Sequence, residues 1–177
     1  MDFDIPDDIQ KLLNDLDDFI EAEIKPLEQQ DDNIRFFDHR REWARTDFEN
    51  GGVPRKEWEE LLGEMRRRAD RAGFLRYGIP GKYGGRDGTN LAMAVIREHL
   101  AAKGLGLHND LQNESSIVGN FPTIKMWENY GSEEQKKEFL EGIFTGKTRV
   151  AFGLTEPNHG SDHRGWKRKR SATAISG

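Results

Sequence analysis

The chain has 177 residues, no cysteine and a net charge of -5, with 34% hydrophobic and 33% charged residues. That length fills one core, and the missing cysteine excludes a disulfide scaffold, a thiolate metal site and a cysteine nucleophile. No apolar run approaches the ~18 residues of a membrane helix, and the acidic start MDFDIPDDIQ argues against a leader peptide and for a cytoplasmic location.

The front reads as helix. From Asp7 to Gln29 the apolar residues Ile9, Leu12, Leu13, Leu16, Phe19, Ile20, Ile24 and Leu27 recur at steps of mostly three and four, one stripe of a helix. Pro6 suits a helix start, and Asp7 and Asp8 suit its positive end. Pro26 predicts a kink or an end. Residues 31–50 are charged, with Phe36, Phe37, Trp43 and Phe48 scattered among them, and read as a loop or broken helix.

A second helix is predicted from Arg55 to Ala72, with Trp58, Leu61, Leu62, Met65 and Ala69 inward and Gly73 as its stop. Residues 74–89 carry six Gly and Pro residues in all, the composition of an ordered loop. A third helix, Asn90–Ala102, starts at a Thr89 or Asn90 cap and reads as buried, because Ala and Met surround Leu91, Ala94, Val95 and Leu100. A further helix is predicted over 111–129, interrupted near Pro122. Ser132 with Gln135 spells a capping box for a helix from Glu133 to Phe144. Residues 149–154 are the one strand candidate, followed by a polar loop to Asp162.

Candidate chemistry is sparse in this pattern. The acid pairs are sequence neighbours, which do not face each other on a helix. Of the five histidines only His159 and His163 stand four apart, and they fall in the polar loop and tail rather than on a predicted helix, where that spacing does not make a zinc pair, so no metal site is predicted. His108-Asn109-Asp110 reads as a polar loop, and Gly104-Leu105-Gly106 lacks the third glycine and the preceding strand of a dinucleotide motif. Charge is uneven. Residues 163–177 hold five Lys/Arg and no acid, leaving a net -10 on residues 1–162. Such a body repels a phosphate backbone, so no nucleic-acid partner is expected.

Three motifs carry a resemblance. Leu154-Thr155-Glu156-Pro157-Asn158-His159-Gly160-Ser161-Asp162 resembles the TEPxxGSD signature of the acyl-CoA dehydrogenase family. The loop Gly73–Gly85, ending Lys82-Tyr83-Gly84-Gly85, is similar to that family's P…(E/K)YGG loop. Tyr130-Gly131-Ser132-Glu133-Glu134-Gln135-Lys136, with Phe139-Leu140 and Gly146-Lys147, resembles its GxxEQK helix and turn. The order and spacing agree over about Ile5 to Asp162.

The resemblance implies an all-α N-terminal helical bundle (1–149), then the first strand and flavin loop of a β-domain (150–162), then a basic tail outside the family pattern (163–177). It implies a flavoprotein oxidoreductase of fatty-acid metabolism that dehydrogenates acyl-CoA thioesters between the α and β carbons. FAD is the implied cofactor, acyl-CoA the substrate and an electron-transfer acceptor the partner, and the full-length family forms homo-oligomers. Phe152, Leu154, Thr155, Gly160 and Ser161 would contact the flavin, and Ser161 the acyl-CoA as well. The family's catalytic glutamate lies beyond this chain, so no residue here inherits that role. The tail HRGWKRKRSATAISG departs from the family. A shift of reading frame near Trp166 can read WMETKAVRDGDQW, which resembles the family's continuation. Two other readings stand beside this one: an inactive helical fragment without flavin, and an interaction module with a basic tail.

Overall fold

The computed structural model describes residues 4–112, 120–144 and 148. Its main layer is built on the apolar stripe of the front helix. Helix α1 (Asp7–Phe19) buries Ile9, Leu12, Leu13, Leu16 and Phe19. The interruption expected at Pro26 takes the form of a π turn, Ile20–Ile24, immediately before it. There the Lys25 N–H reaches back to the Ile20 carbonyl, and α2 (Lys25–Gln29) resumes with Pro26 in its first turn. The backbone stays helical through Ile20, Ile24 and Lys25, so the donor missing at Pro26 is accommodated by the wider π turn before it rather than by a break. Arg68 of the following long helix donates to the Glu23 carbonyl at 2.9 Å, inside the π turn.

The stretch read as loop or broken helix is ordered and compact. A 3-10 segment, Gln30–Phe36, follows α2, with Asp31 and Asp32 both left-handed at φ 48° and 58°. Two short polar side chains tolerate that region. Arg35 donates to both of their carbonyls at 3.1 and 3.0 Å, and Arg40 pairs with Asp32 and Asp38. The bond from Arg40 holds the Asp38 carboxyl at about 2. Helix α3 (Arg41–Arg45) leads into a two-residue antiparallel hairpin, β1 (Thr46–Asp47) with β2 (Val53–Pro54). Sequence periodicity missed this hairpin because its strands are too short to alternate.

Helix α4 (Lys56–Arg71) buries Trp58, Leu61, Leu62, Met65 and Ala69 as predicted, and Gly73 stops it at φ 78°. Helix α5 spans Asn90–Ala102, with the Thr89 hydroxyl accepting the Ala92 N–H at 3.1 Å. The reading of α5 as buried all round is corrected. Leu91 is 56% exposed, Ala94 is exposed, and the inward face is Ala92, Met93, Ile96 and Leu100. A 3-10 turn, Leu107–Gln112, follows. Helix α6 (Asn120–Tyr130) carries Pro122 in its first turn, and α7 (Glu133–Phe144) completes the described chain apart from Thr148.

Two apolar clusters result. The larger joins α1, α2, α4, α5 and the 3-10 turns, with aromatic contacts Phe19–Phe74 and Phe36–Trp58 at 5.1 and 5.2 Å. The smaller gathers Ile79, Ile124, Leu140, Ile143 and Phe144. The molecule is therefore helical, as predicted. The strand candidate at 149–154 lies outside the described residues. Among those described, no helix is long and apolar enough to cross a membrane.

Candidate functional site

All five residues singled out for the flavin, Phe152, Leu154, Thr155, Gly160 and Ser161, lie outside the described residues. The structure does describe the other two motifs, apart from Gly146-Lys147, and it brings them together.

The glycine loop is shaped by close backbone approach. Asp87 N donates to the Ile79 carbonyl at 3.0 Å, and Gly88 N to the Tyr77 carbonyl at 2.9 Å. A Cβ on Gly85 would strike the Ile79 carbonyl, and one on Gly88 would strike the Tyr77 ring. Gly84 turns left-handed at φ 79°, and Asp87 accepts the Gly81 N–H at 3.1 Å. Glycine is required here for space rather than for loose structure. Gly85→Ala is expected to cost roughly 1–3 kcal/mol, since the obstacle is main chain that cannot swing aside. A urea midpoint equal to that of the unsubstituted chain would contradict this.

That loop is clamped to α6 and α7. Lys82 pairs with Glu128 at 2.7 Å, and Lys125 adds a second contact to the same carboxyl at 3.0 Å. These two bonds, from Lys82 first, hold the Glu128 carboxyl below its ordinary value. The Tyr83 ring packs on Phe144 at 5.4 Å. Arg76 bonds Asp70 at 2.8 Å, reaches Glu141 at 3.8 Å and lies over the Phe144 ring. The capping box forms reciprocally, with Ser132 N donating to Gln135 Oε1 at 2.9 Å and Gln135 N to Ser132 Oγ at 3.3 Å. Past α7, Thr148 N donates to the Gly142 carbonyl at 2.9 Å. Thr148 is thereby held against α7. Loop 73–88 and α6–α7 together make a braced platform.

Two further polar clusters tie the helices together. Asp17 Oδ1 takes both His99 Nε2 and Lys103 Nζ at 2.7 Å, tying α1 to α5. Burial opposes the charge on Asp17, but Lys103 and His99 outweigh it and its carboxyl lies below the ordinary value. His108 is 7% exposed, with Nε2 3.1 Å from the Gly104 carbonyl, and burial lowers its pKa. Beside it, Glu28 accepts the Leu107 N–H at 2.5 Å. Sequence reading missed both clusters, because their members are about 80 residues apart and no local spacing signals them.

Among the described residues no group of three His, Asp or Glu could hold a metal. The carboxyls with displaced pKa values, Asp17, Asp38, Asp47, Glu64, Glu128 and Glu134, are all displaced downward. That is the reverse of a base tuned toward neutrality.

The lowered values set the acid response. His108 is depressed from 6.5, so its contribution is complete above 6.5 and is lost as pH falls through its lower folded value. Asp17 is depressed from 3.8, so its contribution is lost only below that. Acid unfolding should therefore weaken the chain in two stages. His108→Asn should flatten the upper stage alone, and an unchanged stability-against-pH curve in that variant would refute the assignment.

A groove of about 480 Å³ runs between the 30–35 turn and α4, lined by Asp31, Glu57, Glu60 and Glu64 against Arg35 and Arg68. Its excess of carboxylates does not suit the phosphates of a dinucleotide.

Comparison with known proteins places these elements. The family model described as "Acyl-CoA dehydrogenase, N-terminal domain" matches residues 6–147. The long-chain specific acyl-CoA dehydrogenase, mitochondrial, of Sus scrofa is 34% identical over 134 residues, covering 71% of this chain and 29% of that protein. The glutaryl-CoA dehydrogenase of Desulfococcus multivorans is 29% identical over 164 residues, 92% of this chain and 35% of the relative. The caffeyl-CoA reductase–Etf complex subunit CarC of Acetobacterium woodii is 32% identical over 127 residues, 72% of this chain and 29% of the relative. The chain thus spans about a third or less of the length of these relatives. No solved structure matches it.

Proposed function

Because this chain belongs to the acyl-CoA dehydrogenase family and corresponds to its N-terminal domain, we propose that it supplies the N-terminal helical part of an FAD-dependent acyl-CoA dehydrogenase. The observation that carries this reading is the platform. Two of the three motifs, distant in sequence, are clamped by Lys82–Glu128 and Tyr83–Phe144, and the third begins a few residues past Thr148.

Phe152, Leu154, Thr155, Gly160 and Ser161 are the residues we assign to the flavin, with Ser161 also facing acyl-CoA. The Thr155 and Ser161 hydroxyls offer hydrogen bonds, and Gly160 lets main-chain N–H groups approach closely. The flavin, when bound, accepts hydride from the acyl thioester. The base that takes the α-proton is assigned to no residue here. One relative's name couples it to an Etf complex, so we place an electron-transfer protein downstream as the acceptor. We propose that residues 163–177 lie outside the family pattern and arise from a shifted reading frame.

Titration of the purified chain with FAD tests the reading. Quenching of flavin fluorescence should saturate, and Thr155→Ala and Ser161→Ala should each weaken binding by ~1 kcal/mol, about fivefold. A chain that stays colourless and helical at saturating FAD would favour the fragment without flavin.

A further inference from the structure

His108 is a buried imidazole that the proposed flavin site does not use, and its two ring nitrogens meet different partners. Nε2 stands 3.1 Å from the Gly104 carbonyl. A carbonyl only accepts, so Nε2 carries the proton of the neutral ring and Nδ1 is a bare acceptor. Nδ1 lies toward the end of α2. A Cβ on Gly106 would stand 2.7 Å from Nδ1 and 2.9 Å from Glu28 Oε2. The missing side chain at Gly106 thus leaves ring and carboxylate bordering one point.

Two acceptors cannot bond each other. Glu28 Oε2 instead takes the Leu107 N–H at 2.5 Å, so the carboxylate clasps the first residue of the 107–112 turn to α2. The turn is also anchored from within. Leu107 and Leu111, on either side of His108, are fully buried in the main cluster. His108 cannot swing into water without withdrawing them. A proton taken up by the ring is therefore accommodated in place, on Nδ1, where it converts a bare acceptor into a donor beside a carboxylate.

The surrounding charges leave that carboxylate to the ring. Burial, the largest influence, lowers the His108 pKa. The Gly104 carbonyl and Glu28 oppose it, while Lys103 and Lys25 add to it. Lys25 is paired with Glu21 and Lys103 with Asp17, so neither competes for Glu28. Asp110, the acid of the turn itself, acts on Arg45.

We propose that Glu28 and His108 form a proton-operated latch on the 107–112 turn. With the ring neutral, the carboxylate holds the Leu107 N–H. With Nδ1 protonated, the carboxylate moves to the imidazolium, a bond between two charges in place of one, and the turn loses its clasp on α2. Acid thus loosens the stretch between α5 and α6 while the helices stay folded.

Nitrogen-15 NMR of the full chain between pH 8 and 4 tests this. At pH 8 His108 should show the Nε2–H tautomer. The Leu107 amide proton should lie far downfield and move upfield on acidification with the His108 midpoint, below 6.5. Glu28→Gln keeps an acceptor for Leu107 but removes the charge beside the ring. In that variant His108 should titrate at a pH lower by about 1, and the Leu107 amide should stay still. An Nδ1–H tautomer at pH 8 overturns the latch, as does a Leu107 amide indifferent to the His108 midpoint or a midpoint unchanged by Glu28→Gln. Loss of all amide signals together at that midpoint also overturns it, since acid then unfolds the chain and not the turn.

Discussion

Phe144→Ala should release α6 and α7 from the molecule while α1, α4 and α5 stay folded. Truncating a buried phenylalanine costs about 3–5 kcal/mol, and Phe144 is 3% exposed at the centre of the smaller cluster. Among the described residues that cluster has four other buried members, Ile79, Ile124, Leu140 and Ile143, and shares none with the main core. A unit so small has little reserve, so a loss of that size exceeds what local packing can absorb. The ring also seats Tyr83 and lies under Arg76, so its removal loosens the glycine loop from α7. Hydrogen exchange separates the outcomes. Amides of 120–144 should lose protection while those of α1, α4 and α5 keep theirs, and equal loss in both sets would mean one cooperative core. By comparison, Lys82→Ala removes an ion pair whose lysine is 59% exposed, and should cost under ~1 kcal/mol. The platform rests on apolar packing, with the charges setting its register.

How much of this was legible in the sequence follows from the range of each interaction. Helices α4, α5 and α7 could be placed within a residue, because their signals are local: the apolar stripe of Trp58 to Ala69, the Thr89 cap, the Ser132–Gln135 box and the left-handed Gly73. The family was legible in its three motifs for the same reason. Burial of α5 was misread because composition does not say which face meets the core, and Leu91 and Ala94 turned outward. The 31–50 region was read as a loop or broken helix because its order depends on side chains reaching main chain: Arg35 to Asp31 and Asp32, Arg45 to Phe36, Arg55 to Trp43. The clamp of Lys82 on Glu128 and the tie of Asp17 to His99 span 46 and 82 residues. No periodicity encodes such pairs. The site residues themselves, 152 to 161, rest on motif resemblance alone.

Leu16→Ala tests the main core, and should destabilise the chain by about 2–5 kcal/mol. Leu16 is fully buried and belongs to the larger cluster, whereas Ile9, in the first turn of the helix and 5% exposed, lies outside it. Ile9→Ala should therefore cost less, because the helix end can settle into the space left behind. Leu16 has no such freedom. The π turn and Pro26 fix the helix beyond it, Asp17 is held by His99 and Lys103 on the adjacent position, and the α2 end is tied through Glu28 to Leu107. With both flanks restrained, the cavity persists and the penalty moves toward the upper part of the range. For a domain whose whole stability is of order 5–15 kcal/mol, that is a large share. Urea unfolding should give a midpoint well below that of Ile9→Ala at equal m-value. A cost under ~1 kcal/mol would mean that α1 relaxes around the cavity, and that the restraints from α5 and the 107–112 turn do not hold it.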